Sequence, residues 1–377
     1  MKSSAVSDGL PGEKLKSSLF LNPSNLIVVA GIVLVSFVSY WKSLSCFFFS
    51  DDLLCVDYLY KIFNGQPQML LERMLSPWQD RSISLLYRPL CDLSLALDYL
   101  IWATNSFGFH LTNLLMHSAA SVVLYFFLRH LLRNSGTNRQ DVTVCAALAA
   151  GIFAASPLHV EPVLWIVCRA DLASTVLVLA VLLFASVRFC QEKSLGISVC
   201  ILYLAALLFK ESAACSAGIL FASLFICDTK ASSYKQKALS VLRFMLPVLL
   251  VTPIYFVLRF CVLGTLIGGY VGSLGDALSR NGFSRIVDLD WAALIGLSAN
   301  LVVFPSDCII LNLLRSIYLL LAAFLLVRAV IAPWDARTTT ILSFLLIASI
   351  MALVPAFQVI GVTPTLNNSR IFYLASA

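Results

Sequence analysis

The sequence predicts an all-α, polytopic membrane protein. Hydrophobic residues make up 60% of the 377 positions and charged residues 12%, with a mean hydropathy of +0.90. That balance excludes a soluble domain of this size. Apolar runs close to the length of a bilayer span recur along the chain. The short polar segments between them alternate in charge. No tandem repeat or low-complexity linker interrupts the pattern, so residues 1–25 read as a cytoplasmic N-terminal segment and 26–377 as one membrane domain.

The first run, 26–47, follows a polar, basic N-terminus. It is too long for a signal-peptide core and has no small-residue cleavage site before Asp51, so it is expected to be an uncleaved anchor. Further spans are expected near 109–128, 143–159, 171–189, 195–209, 212–227, 241–262, 316–332 and 339–360, about nine in all. Two shorter stretches read as helices lying in or near the interface. The first, 89–103, contains Asp92 and Asp98; the second, 289–304, carries Asn300 and ends at Pro305. Gly268 and Gly269 mark a flexible turn more readily than a phosphate cradle.

Charge sets the sidedness. With the N-terminus inside, segments 1–25, 129–142, 188–194, 228–243 and 328–338 face the cytoplasm. They hold 14 of the 26 Lys and Arg but 6 of the 20 Asp and Glu, as the positive-inside rule expects. The net charge of +6 is therefore mostly a topology signal, and no basic-aromatic repeat points to nucleic acid. The long loop 49–108, the C-terminus and most of the remaining ionisable groups are expected outside. Cys145, Cys190, Cys200, Cys215, Cys227 and Cys261 lie in or beside apolar runs without CxxC spacing and read as small buried hydrophobes.

The most informative feature is Asp51-Asp52, a carboxylate pair at the exit of the first span. Ionisable groups beside hydrocarbon are costly and are usually kept for function; the plain alternative is that Asp51 caps a helix beginning near Leu53. The outer face also collects Arg88, Glu161, Arg169, Asp171, Lys210, Glu211 and Arg370. Each has a structural alternative. Glu161 suits a helix start, Arg169 and Asp171 could pair with each other, and Arg88 and Lys210 could be interfacial anchors. His110 and His117 share one helix face and read as packing or hydrogen-bonding residues, with no metal called for.

These residues fall into an ordered set of short motifs. Tyr40-Trp41-Lys42-Ser43-Leu44 precedes Phe49-Ser50-Asp51-Asp52. Tyr87-Arg88-Pro89-Leu90, Gly108-Phe109-His110-Leu111-Thr112-Asn113-Leu114-Leu115-Met116-His117 and Ser156-Pro157-Leu158-His159-Val160-Glu161 follow. Cys168-Arg169-Ala170-Asp171, Lys210-Glu211-Ser212 and Arg370-Ile371-Phe372-Tyr373-Leu374 complete it. The order resembles the transmembrane O-mannosyltransferases that carry tetratricopeptide repeats, and their bacterial relatives. Cys168 stands where that family usually has Gly, and the late motif is similar to its Arg-x-Leu-Tyr-Leu element.

The resemblance implies a GT-C-like fold with its active site at the outer or lumenal membrane surface. It implies a sugar donor on polyprenyl phosphate, an acceptor protein or glycan, membrane lipids as surroundings, and no cofactor, with any need for a divalent cation left open. The family's acidic pair contains the catalytic carboxylate, so Asp51 or Asp52 is expected to be the general base, with Asp51 preferred and Asp52 orienting acceptor or base. Arg88, Glu161, Arg169, Asp171, Lys210, Glu211 and Arg370 fall to substrate binding. The expected setting is a bacterial inner membrane facing the periplasm, or the endoplasmic reticulum in a eukaryote. No tetratricopeptide array follows and the chain stops at Ala377, so a C-terminally truncated relative is expected. The alternatives are a transporter or flippase of lipid-linked sugars and a non-catalytic relative. Transporters tend to place charge at the bilayer midplane between repeated halves, whereas here the charges gather at one surface.

Overall fold

A computed structural model of the chain describes residues 22–78, 85–134, 139–156, 159–228, 233–265 and 373–374. The expected spans 316–332 and 339–360, the stretch 289–304, the Gly268-Gly269 turn and Arg370 lie outside these residues. All secondary structure among the described residues is helical. Helix α1 runs Pro23–Tyr40 and continues as a 3₁₀ turn, Trp41–Ser45. The loop 49–108 holds α2 (Asp51–Phe63), α3 (Gln68–Met74) and α4 (Pro89–Trp102). Then come α5 (Ser106–Asn134), α6 (Arg139–Ala155), the single turn α7 (Val160–Leu164) and α8 (Arg169–Cys190). Helices α9 (Ile197–Phe209), α10 (Ser216–Cys227) and α11 (Tyr234–Leu263) complete the described set.

The starts have local causes. Pro23 sits at the first turn of α1, where its missing N–H costs nothing, and Asn22 accepts from the Ser24 N–H. Ser233 does the same for α11 through Gln236. Pro247 and Pro253 lie inside α11; each removes one backbone donor, a loss membrane helices tolerate when neighbours compensate.

Helices α5 and α8 pack together at the centre. Helix α1 and α6 lie against α5, α9 and α10 lie against α8, and α11 closes on α9 and α10. Polar groups stitch the helices. Tyr125 donates to Asn25 (3.2 Å), Ser174 to the Ala206 carbonyl (3.2 Å), and the Tyr203 and Thr252 hydroxyls pair at 3.0 Å. Such bonds between membrane helices are worth about 0.6 kcal/mol each on average.

The protein is an integral membrane protein. Four helical segments among the described residues are long and apolar enough to cross a bilayer: Pro23–Ser45, Ser106–Asn134, Ile166–Cys190 and Tyr234–Leu263. Helix α8, with 22 residues, is about 33 Å long and matches the hydrocarbon core. Three shorter apolar helices, Val142–Ala155, Ile197–Phe209 and Glu211–Cys227, accompany them. Residues of α8 are mostly buried and those of α1 and α11 mostly exposed, so the first lies in the protein core and the other two present leucines to lipid. Helix α4, expected not to span, has 14 residues, about 21 Å, and packs against α3, α5 and α9.

Two readings are corrected. Cys145, Cys190 and Cys261 are exposed, and of the six cysteines expected to be buried only Cys227 is fully so; apolar periodicity cannot separate a lipid-facing thiol from a core one. Asp51 is not the N-cap of α2, because that position belongs to Ser50.

Candidate active site

The loop 49–108 folds back over one end of the bundle and builds its own small core. Phe48 packs edge-on against Phe109 at 5.4 Å, Phe63 stacks on Tyr99 at 5.1 Å, and Phe49 stacks on Trp165 at 6.0 Å. Gly108 belongs to this packing, since a Cβ there would fall within the Trp102 indole ring. Tyr58 donates to Asp92 at 2.6 Å and the Arg73 guanidinium lies 4.3 Å over the Tyr58 ring. Asp92 and Asp98, which had argued against a span at α4, are buried groups: Asp92 ties α2 and α3 to α4, and Asp98 ties α4 to α8 through Arg169.

The acidic pair opens α2. Ser50 precedes it with φ 54° and ψ −126°, a backbone state costing roughly 1–3 kcal/mol for a residue with a Cβ. The two carboxylates have different surroundings. Asp51 is half-buried at the edge of the site, whereas Asp52 is fully buried. Asp52 accepts from the Val167 N–H at 3.1 Å and the Phe49 N–H at 3.4 Å. Burial pushes its carboxyl up to about 7, against the opposing pull of the Val167, Phe49 and Ile166 N–H groups and with a further push from Asp51. Asp52 therefore ties the first motif to the turn Ile166–Cys168 that precedes Arg169.

The cations form a second, contiguous cluster. Arg88 makes a two-point contact with Glu211, Nη2 to Oε1 at 3.0 Å and Nε to Oε2 at 3.3 Å, and lies 5.1 Å from the Trp78 ring centre. Burial alone would ease the proton off Arg88, but the Glu211 carboxylate outweighs it and holds the guanidinium charged. Lys210 pairs with Asp171. Arg259 of α11 is buried, donates Nη2 to the Leu85 carbonyl at 3.0 Å and acts on Glu211. Arg88, Lys210 and Arg259 against Glu211 and Asp171 leave one surplus positive charge among the described members. Sequence reasoning missed Arg259. The available signal was a guanidinium within an apolar run, which is costly unless used.

Arg169 sits elsewhere. It is fully buried and ion-paired to Asp98, and it donates to Asn113 Oδ1 (3.0 Å), the Ser94 carbonyl (3.2 Å) and the Phe109 carbonyl (3.1 Å). Its donors are spent on α4 and α5, so it fixes the end of α8. The expected alternative of an Arg169–Asp171 pair is not what forms. Glu161 is half-buried in the first turn of α7.

The motifs also meet in an aromatic knot. His117 hydrogen-bonds the Tyr373 hydroxyl at 2.7 Å and the Ala154 carbonyl at 3.0 Å. Tyr40 packs edge-on against His117 at 5.0 Å and donates to the Ser156 carbonyl, and His159 lies 4.7 Å from Tyr373. The first, third, fourth and last motifs thus touch through Tyr40, His117, Ser156, His159 and Tyr373. Burial raises the Tyr373 phenol, with Tyr40 and Asp171 adding to it.

Comparison with known proteins gives the same direction. The chain is 34% identical over 200 residues to the protein O-mannosyl-transferase Tmtc1 of Drosophila melanogaster, covering 52% of this chain and 22% of the fly protein. It is 30% identical over 207 residues to Tmtc3 of the same fly, 51% and 22% of the two chains. Human TMTC3 matches at 27% over 166 residues, 43% of this chain and 17% of the human one. The matched stretch thus spans about a fifth of the length of these relatives. No family model matches, and no solved structure matches. By sequence, over about half its length, this chain is a relative of the protein O-mannosyl-transferases.

Proposed function

We propose that the chain is the membrane part of a glycosyltransferase that moves mannose from a polyprenyl-phosphate carrier to a hydroxyl of a protein acceptor at the outer or lumenal face. The observation that carries this reading is a carboxylate pair tied to the turn that precedes α8 and a net-positive cation cluster paired to Asp171 in the first turn of α8. The acceptor oxygen forms a bond to the anomeric carbon and passes its proton to a carboxylate. The bond from that carbon to the phosphate oxygen breaks, and the polyprenyl phosphate leaves with the electron pair. The half-buried Asp51 takes the proton as general base. Buried Asp52 is a positioning residue, anchoring the start of α2 through Val167 and Phe49.

The leaving group is already a stabilised anion, so it needs fixed positive charge more than a second acid. Arg88, Lys210 and Arg259 supply that charge, with Glu211 and Asp171 holding the first two in place; Arg370, outside the described residues, is proposed as a further donor to the phosphate. Arg169 acts by fixing the end of α8. Mannose and a protein acceptor are supported by the names of the relatives. Their animal origin favours a lumenal site in the endoplasmic reticulum over a periplasmic one.

The test is incubation of the full chain in lipid nanodiscs with radiolabelled polyprenyl-phosphate-mannose and Ser/Thr peptides. Label in the peptide supports the reading. Carrier binding with no transfer to any hydroxyl acceptor identifies a non-catalytic relative.

A further inference from the structure

The opposite end of the bundle holds a cluster that sugar transfer does not use. His130 lies in the last two turns of α5, Cys190 is the last residue of α8 and Cys227 the last of α10. One imidazole nitrogen and the two Sγ atoms all lie within 4.8 Å of one another. Cys190 is in hydrogen-bond reach of Cys227 and His130. The Asn134 amide donates to His130 Nε2 at 3.0 Å and reaches Cys190 Sγ at 3.5 Å. Lone pairs of two of the three ligands therefore converge on one positively polarised group. Arg169 and Cys190 are the two ends of α8, about 32 Å apart, so this cluster lies on the membrane face opposite Asp51-Asp52.

We propose that His130, Cys190 and Cys227 form a Zn²⁺ site that ties together the inner ends of α5, α8 and α10. Two thiolates and one neutral imidazole suit a borderline-soft divalent ion and cancel its charge. A tetrahedral Zn²⁺ with these ligands sets ligand atoms about 3.6–3.8 Å apart, so side-chain rotations of roughly an ångström close the present spacing. Three protein ligands leave a fourth position open. It adjoins a cavity of about 690 Å³ lined by Asn134, Cys190, Cys227, Asp228, Gln236 and Ser240. Water or a small anionic ligand in that cavity completes the coordination. The site is independent of the transferase reading. Its ligands stand 60 and 37 residues apart, which is why no CxxC-type spacing announced it.

The experiment uses the full chain in detergent micelles, stripped with chelator and kept reduced with a phosphine. Co²⁺ is added and the thiolate-to-metal charge-transfer band and the visible bands of tetrahedral Co²⁺ are recorded; Zn²⁺ is then titrated in. The expected result is one metal per chain, bands that Zn²⁺ abolishes, loss of the thiolate band in Cys190→Ser/Cys227→Ser, and weaker binding in His130→Gln. Cys145→Ser and Cys261→Ser leave the spectrum unchanged. Protection is read on wild type alone, so it holds even where a variant fails to fold. Zn²⁺ shields the exposed Cys190, but not the exposed Cys145, from maleimide. No Co²⁺ band in reduced wild type, a band that survives the double Ser variant, or equal maleimide labelling with and without Zn²⁺ overturns the proposal.

Discussion

Asp52→Asn is the most informative single substitution for stability. The amide keeps an oxygen that can accept from Val167, so the hydrogen bond of 3.1 Å has a replacement while the buried charge is removed. The folded carboxyl titrates at about 7, roughly three units above an unperturbed Asp. The folded pKa is raised, so the native state binds this proton more tightly than the unfolded chain does. The associated stability is fully present below about pH 4 and is lost as pH rises through 7. At pH 8 the loss approaches about 4 kcal/mol, and at pH 5 it is nearer 1.5–2 kcal/mol. Between these pH values wild type therefore loses about 2–3 kcal/mol from this group. Asp52→Asn removes that slope and is the more stable protein in alkali. The assay is thermal unfolding in one detergent across pH 5–8.5 for both proteins, reading the difference in Tm so that other titrating groups cancel. Parallel Tm–pH curves would refute the claim that burial governs Asp52.

Three further outcomes follow from the packing. Glu211→Gln leaves the half-buried Arg88 guanidinium without its carboxylate and is expected to cost about 1–3 kcal/mol; thermal unfolding of the Arg88/Glu211 double-mutant cycle decides. Tyr373→Phe leaves His117 Nδ1 buried without its 2.7 Å partner and is expected to cost about 1–3 kcal/mol, read as a fall in Tm. Gly108→Ala forces a methyl group against Trp102 and is expected to cost about 1–3 kcal/mol, with Trp102→Ala in the same chain relieving the clash.

Much of the architecture was legible in the sequence because bilayer spans need long apolar runs, and such runs are visible without knowledge of the fold. The four runs at α1, α5, α8 and α11 that are long and apolar enough to cross a bilayer follow from length and composition alone. Pairing was not legible. Arg169 and Asp171 are two residues apart in sequence, yet Arg169 pairs with Asp98 and Asp171 with Lys210. Positions i and i+2 leave a helix in different directions, and the partners come from α4 and the end of α9. Glu211 was placed among substrate-binding residues, but its fork contact with Arg88 depends on the loop 49–108 folding back over the bundle. Arg259 and the His130, Cys190 and Cys227 cluster depend on which helix ends meet, a fact that residue spacing along the chain does not carry.

The central claim is that Asp51 removes the acceptor's proton while the cation cluster holds the carrier phosphate. The direct measurement is single-turnover transfer of labelled mannose by Asp51→Asn beside wild type, with carrier affinity measured on the same samples. The expected result is a fall in rate on the order of 10²–10⁴ with carrier affinity unchanged. Asp51→Asn turning over at the wild-type rate would contradict the account.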